Sequence, residues 1–180
     1  MNDITIKSID KDRVPVIDIN KINSNSDKIK ISKQLYKAST DLGFIYIKNH
    51  NISDKLINDL RNDGLTFFRS SFDEKEKVKI SKKHRGWLGF GGAKMGDKAK
   101  PDLKESFIWG YQYDDGSLPD NHQLRGLNKW PEFRPSLQKN AMNYFNQTNE
   151  LAKSLLTCFA VGLNLSCLLY TSPSPRDSSE

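Results

Sequence analysis

Three segments of this 180-residue chain have the pattern of a β-strand, and this scarcity constrains the fold more than any other feature. They are residues 14–19, with Pro15 near the start, residues 44–49, apolar on both faces, and residues 104–113, where one face is apolar and aromatic. A proline near the start of a strand is typical of a sheet edge, because it cannot donate to the ladder. Three short strands with open edges need further strands to pair with. We therefore predict an α+β fold with an incomplete sheet and flanking helices.

Amphipathic helices are predicted between and after these segments, because apolar residues recur there at spacings of three and four. Ser53 and Ser71 are predicted N-caps, and Gly43 is predicted to end the first helix. Pro135 stands near the start of a long final helix that extends to about Leu165. The predicted inner positions are Ile31, Leu35, Ala38 and Leu42, then Leu56, Ile57, Leu60, Phe67 and Phe68, then Leu137, Ala141, Tyr144, Thr148, Leu151 and Leu155.

Leu151, Leu155 and Phe159 form an apolar stripe on the second half of the final helix. We expect this stripe to lie against a sheet that three short strands cannot supply, and so to lack a partner within the chain. Exposed apolar stripes drive association. The chain by itself is therefore expected to aggregate or to pack loosely.

Composition excludes several classes of protein. Hydrophobic residues make up 36% of the chain and charged residues 28%, and no stretch approaches the ~18 apolar residues of a membrane-spanning helix, so no membrane partner is expected. The net charge of +6 is concentrated in residues 75–85. A solvent-exposed face accounts for that run, and the alternative is a non-catalytic basic module that binds an anionic partner. No zinc-finger, RRM or helix-turn-helix pattern accompanies it, so no nucleic-acid partner is expected.

The two cysteines, Cys158 and Cys167, belong to no CxxC or Cys/His ligand pattern. Unpaired thiols of this kind are typical of a reducing compartment. The N-terminal residues also lack the basic-then-apolar pattern of a secretion signal. We therefore expect free thiols and a cytoplasmic protein.

Glu105 lies in the third predicted strand, on the same face as Phe107 and Trp109. Lys104 is adjacent in sequence and points to the opposite face, so it is not the expected partner. A carboxylate buried among aromatic rings needs a hydrogen-bond donor. We predict a structural hydrogen-bonding role for Glu105.

Two patterns that resemble ligand sites lack the required spacing. His50 follows a predicted strand without other ligands nearby, so a hydrogen bond at the strand end explains it better than a metal does. The glycines of residues 86–96 lack the spacing of a phosphate-binding loop. This segment is predicted to be a loop with at most short extended pieces.

Several stretches together resemble the N-terminal region of the non-haem iron, 2-oxoglutarate-dependent dioxygenases of the isopenicillin N synthase-like group. Each stretch alone is weakly specific, but here they follow one another in the order of that family, from about Arg13 to Ser166. The stretches are RVPVIDINKI, ASTDLGFIYIKNHNI, FFRSSFDEKEKVKI, HRGWLGFGGAKM, PDLKESFIWG and LRGLNKWPEFRPSLQ.

The resemblance implies a double-stranded β-helix (jelly roll) enzyme that oxidises a small organic substrate with 2-oxoglutarate and O2. Its Fe(II) would be held by two histidines and one carboxylate, with a His-x-Asp pair among them. None of the three histidines of this chain is followed two residues later by Asp or Glu. We therefore expect Fe(II) and 2-oxoglutarate as cofactors of a full-length parent enzyme and neither bound by this chain, and we assign no catalytic and no metal-binding residue.

In the resembled family the glycine-rich stretch leads into the substrate pocket. The resemblance therefore implies that Arg85, Trp87 and Phe90 contact substrate. The Arg85 guanidinium could donate two parallel hydrogen bonds to a carboxylate. The alternative is that Trp87 and Phe90 fill the core while Arg85 lies on the surface.

The resemblance also implies a division of the chain. Residues 1–13 are expected to be an N-terminal extension, 14–125 the dioxygenase N-terminal domain, and 126–166 a long helix that leads into a catalytic core missing from this fragment. Residues 167–180 match nothing in that family and carry prolines that cannot continue a helix. We expect them to be a non-native, disordered tail, with a natural disordered terminus as the alternative.

Overall fold

Strands and helices alternate along the chain in the computed structural model, which describes residues 14–93, 100–112, 124 and 126–165. The predicted extension 1–13, the predicted tail 167–180 and Cys167 lie outside the described residues. The elements are, in chain order, β1 (Val16–Asp18), α1 (Asn25–Asp41), β2 (Tyr46–Lys48), α2 (Asp54–Phe68), α3 (Phe72–Lys77), β3 (Gly86–Leu88), β4 (Ser106–Ile108) and α4 (Pro135–Gly162).

The α+β class is confirmed, and the described sheets are small and incomplete, with β1 paired to β2 and β3 paired to β4. The described residues form two compact units, one made of 14–51 and 148–165 and the other of the described part of 52–147. Helix α4 contributes its C-terminal half to the first unit and its N-terminal half to the second. No helix in the described part of the chain is long and apolar enough to cross a membrane. The domain bounds given above stay a prediction.

The first unit is built on a parallel strand pair. Strands β1 and β2 are in register with Ile17 opposite Ile47, and α1 connects them, as a crossover between parallel strands requires. The predicted stop of α1 is confirmed, since Gly43 has a φ of +79° and its amide donates to the Ala38 carbonyl at 3.1 Å. The buried core of this unit consists of Ile17, Ile19, Ile22, Ile31, Leu35, Ala38 and Cys158.

The stripe on the second half of α4 is not without a partner, and that expectation is wrong. Leu151, Leu155 and Phe159 are partly buried and pack against the core of the first unit. The approach is close because Gly162 lacks a side chain, and a Cβ there would stand 3.0 Å from the Ser32 carbonyl oxygen. The strand pair and α1 therefore supply the apolar surface that was not expected within this chain.

Cys158 is a free thiol, as predicted, and it is fully buried in this core. Burial raises the pKa of the Cys158 thiol, and a hydrogen bond with Ser32 opposes this only in part. A buried thiol whose pKa is raised is a poor nucleophile. Its role in the first unit is therefore packing.

The second unit has an aromatic core. Phe67, Val78, Trp87 and Leu137 are buried, and the partly buried Leu60, Phe68, Phe107 and Trp130 pack against them. The rings of Phe67 and Phe107 meet edge to face with their centroids 4.8 Å apart, a favoured geometry for aromatic pairs. Ser53 caps α2 by accepting from the Leu56 amide at 3.2 Å, as predicted.

Strands β3 and β4 form an antiparallel pair with Trp87 opposite Phe107. Strand β3 is one of the short extended pieces expected in residues 86–96. The strand predicted over 104–113 is reduced to three residues, because the Asn128 side chain forms hydrogen bonds with both backbone groups of Gly110. Its Oδ1 accepts from the Gly110 amide and its Nδ2 donates to the Gly110 carbonyl, each at 2.9 Å. Beyond Ile108, the Asn128 side chain thus takes the place of a neighbouring strand as hydrogen-bond partner of the backbone. Tyr113 lies outside the described residues.

A buried carboxylate joins α2 to the start of α4. Asp63 has only 2% of its surface exposed and accepts from Arg134 Nε at 2.7 Å, Ser136 Oγ at 2.8 Å and Asn140 Nδ2 at 2.8 Å. Burial by itself would raise the pKa of the Asp63 carboxyl, but the hydrogen bonds from Asn140, Ser136 and Arg134 outweigh it and hold that pKa below its usual value. The carboxylate is therefore ionised and fully engaged in the folded chain.

Replacing Asp63 by alanine should lower the free energy of unfolding by about 2–3 kcal/mol, because it leaves buried donors without an acceptor. The measurement is urea unfolding followed by circular dichroism. Asp59→Ala is the matched control on the same helix, where only an exposed ion pair with Lys55 is lost, and it should change stability by about 0.5 kcal/mol or less. Equal effects of the two variants would contradict the structural role of Asp63.

The lowered pKa of Asp63 also predicts how stability depends on pH. Its contribution is present above the usual unfolded-state value, about 3.9, and is lost as the pH falls through the lower folded-state pKa. The difference in unfolding free energy between the natural chain and Asp63→Asn should therefore be largest near pH 7 and shrink below about pH 4. Urea midpoints measured from pH 7 to pH 3 test this, and a constant difference would refute it.

Candidate functional site

A groove of about 390 Å³ lies between α3 and β3 in the second unit. Helix α3 forms one wall, and β3 with the glycine-rich residues after it forms the other. We call it the α3–β3 groove, and the described residues that line it are Phe72, Lys75, Glu76, Lys79, Ile80, Trp87, Leu88, Gly89, Phe90, Gly92 and Glu105.

Trp87 belongs both to the core and to the groove. It is only 5% exposed, and its ring meets Phe72 edge to face at a centroid distance of 5.8 Å. Its indole Nε1 donates to Glu105 Oε2 at 2.7 Å, and Lys75 Nζ lies 5.5 Å from the ring centroid. The two roles considered for Trp87, core packing and pocket lining, are therefore compatible.

Glu105 has the structural hydrogen-bonding role predicted for it. In addition to the indole, it accepts from Lys75 Nζ at 3.0 Å, and the two side chains are 15% and 13% exposed. Lys75 also donates to the Phe68 carbonyl at 3.0 Å. Lys104 pairs with Asp102, and the prediction that it is not the partner of Glu105 is confirmed. The carboxylate therefore fixes the relative positions of α3, β3 and the start of β4.

Phe90 lies at the mouth of the groove with 70% of its surface exposed. Gly89, just before it, permits close packing, because a Cβ there would stand 3.0 Å from the Trp87 ring. The backbone can therefore pass tightly over the indole and present Phe90 to solvent.

Arg85 does not line this groove. Its guanidinium packs on Gly110, where a Cβ would stand 2.5 Å from Nη2, and its Nη1 donates to the His84 carbonyl at 3.1 Å. The Arg85 Nε is buried without a hydrogen-bond partner in the described part of the chain. The backbone on both sides of Arg85 departs from an extended strand, because His84 and Gly86 have φ values of +56° and +116°. The structure thus brings Trp87 and Phe90 together and leaves Arg85 elsewhere, and substrate contact by the three residues stays a prediction.

Phe72 and Lys75 are groove residues that the sequence analysis missed. They stand at the first and fourth positions of α3, so they share one helix face. That spacing was visible in the sequence, but nothing there showed that this face lies against β3.

Three of the six basic side chains in residues 75–85 form ion pairs with carboxylates. Lys77 pairs with Glu74 and Lys79 with Glu76, in addition to the pair between Lys75 and Glu105. Lys77 and Lys79 are exposed, and their pairing favours the solvent-exposed face over the basic binding module, whereas Lys75 is mostly buried.

Neither a metal site nor a phosphate cradle is formed by the described residues. No group of three or more His, Cys, Asp or Glu side chains there could hold a metal ion, so the described residues do not fit an iron site. The amide of Gly91 donates to the Asp102 carbonyl at 3.1 Å and that of Gly92 to the Gly89 carbonyl at 3.0 Å. Amides engaged in this way form no phosphate cradle.

Solved structures show the same fold. A full-length protein of Neurospora crassa, solved in complex with alpha-KG and thymine, matches with a TM-score of 0.68 and 24% identity, over 88% of this chain and 51% of that one. A putative 2OG-Fe(II) oxygenase family protein from Caulobacter crescentus matches with a TM-score of 0.72 and 19% identity, over 92% of this chain and 53% of that one.

Curated relatives are oxidative enzymes. Leucoanthocyanidin dioxygenase of Petunia hybrida is 31% identical over 154 residues, which are 85% of this chain and 34% of the relative. The 1-aminocyclopropane-1-carboxylate oxidase of Dictyostelium discoideum is 29% identical over 168 residues, 87% of this chain and 44% of the relative. The chain thus spans less than half the length of these relatives.

A family model describes the same region. The family described as "non-haem dioxygenase in morphine synthesis N-terminal" matches residues 14–133, which are more than half of the chain. The match contains the predicted α1 and α2, both strand pairs and the whole α3–β3 groove. The chain therefore belongs to the N-terminal family of the non-haem dioxygenases.

Proposed function

We propose that this chain is the N-terminal part of an Fe(II)- and 2-oxoglutarate-dependent oxygenase that oxidises a small organic substrate. The observation that carries the proposal is the family match over residues 14–133. The dioxygenase and oxidase relatives support it, as does the fold shared with the Neurospora crassa protein, which was solved with alpha-KG. The catalytic core of such an enzyme would be a jelly roll.

The described residues do not fit an iron site, so the proposal places the metal ligands outside them. What these residues can do is bind and orient. Trp87 is fixed by the Glu105 carboxylate, and Phe90 stands beside it at the mouth of the groove. We propose that this aromatic surface contacts the substrate while iron and 2-oxoglutarate supply the oxygen chemistry elsewhere.

The proposal extends to partners and location. The paired lysines of residues 75–85 favour a small-molecule substrate over an anionic macromolecule. The free thiol of Cys158 supports a reducing compartment, and we propose the cytoplasm.

Turnover by the complete reading frame of the gene that encodes this chain tests the function. The purified product should release succinate from 2-oxoglutarate only when Fe(II) is present, with stimulation by ascorbate. The chain of residues 1–180 alone should release no succinate above an enzyme-free control. Iron-dependent succinate release by residues 1–180 would show that they hold the metal, against the proposal, and no release by the complete protein would refute the proposed function.

In the complete protein, Phe90→Ala should raise KM for the organic substrate roughly fivefold and leave kcat nearly unchanged. The reason is that an exposed ring at the mouth of the groove contributes binding in the ground state and in the transition state alike. Leu103→Ala is the matched control, because Leu103 is 92% exposed and lies outside the groove lining. An unchanged KM for Phe90→Ala would refute this contact.

A further inference from the structure

We infer that the α3–β3 groove binds an uncharged group that carries an aromatic ring. The inference deepens the proposed function and rests on it, because it names the ligand class for the surface formed by Trp87 and Phe90. It depends on three features of the groove, which are its exposed rings, the pairing of its charges and the fixed position of its floor.

Exposed aromatic rings stand on both sides of the groove. Phe72 on α3 is 64% exposed and Phe90 after β3 is 70% exposed, with the indole of Trp87 between them as the floor. Rings left in water in this way gain from burial against another apolar surface. A volume of about 390 Å³ is in the range of small-molecule sites, which suits a ligand with a single ring or two fused rings.

The charges at the groove favour an uncharged ligand. Lys75 is paired with Glu105 at 3.0 Å, and Lys79 is paired with Glu76 at 3.1 Å. Every charged side chain among the described lining residues therefore has its opposite charge within the lining itself. A charged ligand would have to displace one of these partners or stay unpaired beside apolar rings, and either costs binding free energy.

The floor of the groove is fixed before any ligand binds. The Trp87 indole donates to Glu105 at 2.7 Å, which sets the direction of the ring plane. The backbone of Gly89 lies close to the same ring, and a Cβ there would be 3.0 Å away. A surface held from two sides loses little conformational entropy on binding, which favours a rigid planar ligand.

The test is a titration of the ¹⁵N-labelled chain of residues 1–180 with 1-naphthol, which is neutral at pH 7, without iron or 2-oxoglutarate. The side-chain N–H resonance of Trp87, assigned with Trp87→Phe, should shift saturably, while those of Trp109 and Trp130 should not follow the same curve. Phe90→Ala should weaken binding roughly fivefold. Leu103→Ala should bind like the natural chain, and the anion 1-naphthoate should bind more weakly than 1-naphthol.

The absence of a saturable shift at Trp87 would overturn the inference, including the case in which another part of the chain already fills the groove. Equal shifts at all three tryptophans, unchanged binding by Phe90→Ala, or naphthoate binding as tightly as naphthol would also overturn it. The titration needs no turnover. Succinate release by the complete protein together with no binding would therefore reject the groove as a binding surface and leave the proposed oxygenase activity intact.

Discussion

The Glu105 carboxylate is the interaction on which the candidate site depends. It receives one hydrogen bond from the Trp87 indole on β3 and an ion pair from Lys75 on α3, and Lys75 in turn donates to the carbonyl of Phe68 at the end of α2. The start of β4 is thus joined to β3 and to α3 at one side chain, and Lys75 joins α3 to the end of α2. Because the pair is mostly buried, removing one partner would leave an uncompensated charge, which costs about 3–5 kcal/mol in comparable buried pairs. The groove keeps its shape because this carboxylate has all of its partners.

Features set by neighbouring residues could be predicted from the sequence, and features set by distant residues could not. The Ser53 cap, the stop at Gly43 and the start of α4 at Pro135 depend on bonds that span a few residues. The early end of β4 depends on Asn128, 18 residues beyond Gly110, and the buried Asp63 depends on Arg134, 71 residues away. Neither Asn128 nor Arg134 stands in a periodic sequence pattern that would indicate these contacts. The sequence did indicate the position of Asp63, because it lies on the inner face of α2, four residues before Phe67.

The candidate site shows the same division. A need for a donor at Glu105 followed from its aromatic neighbours in the strand, but the identity of the donors did not, because Lys75 lies 30 residues away. Trp87 and Phe90 both line the α3–β3 groove, whereas Arg85, which the family resemblance named together with them, does not. The left-handed backbone at His84 turns the chain just before β3, and no composition rule predicts a positive φ at a histidine.

The stripe on α4 shows why a count of strands misleads. Three strand-like runs suggested that Leu151, Leu155 and Phe159 had no surface to pack on, but the first unit covers them with one strand pair and one helix. A βαβ arrangement buries apolar area on its helix as well as on its strands, so two strands of three residues suffice when a second helix packs against the same core. Gly162 makes this possible by letting α4 approach the backbone of α1 at Ser32. Further strands are needed to pair with the open sheet edges, but they are not needed to cover the apolar stripe of α4.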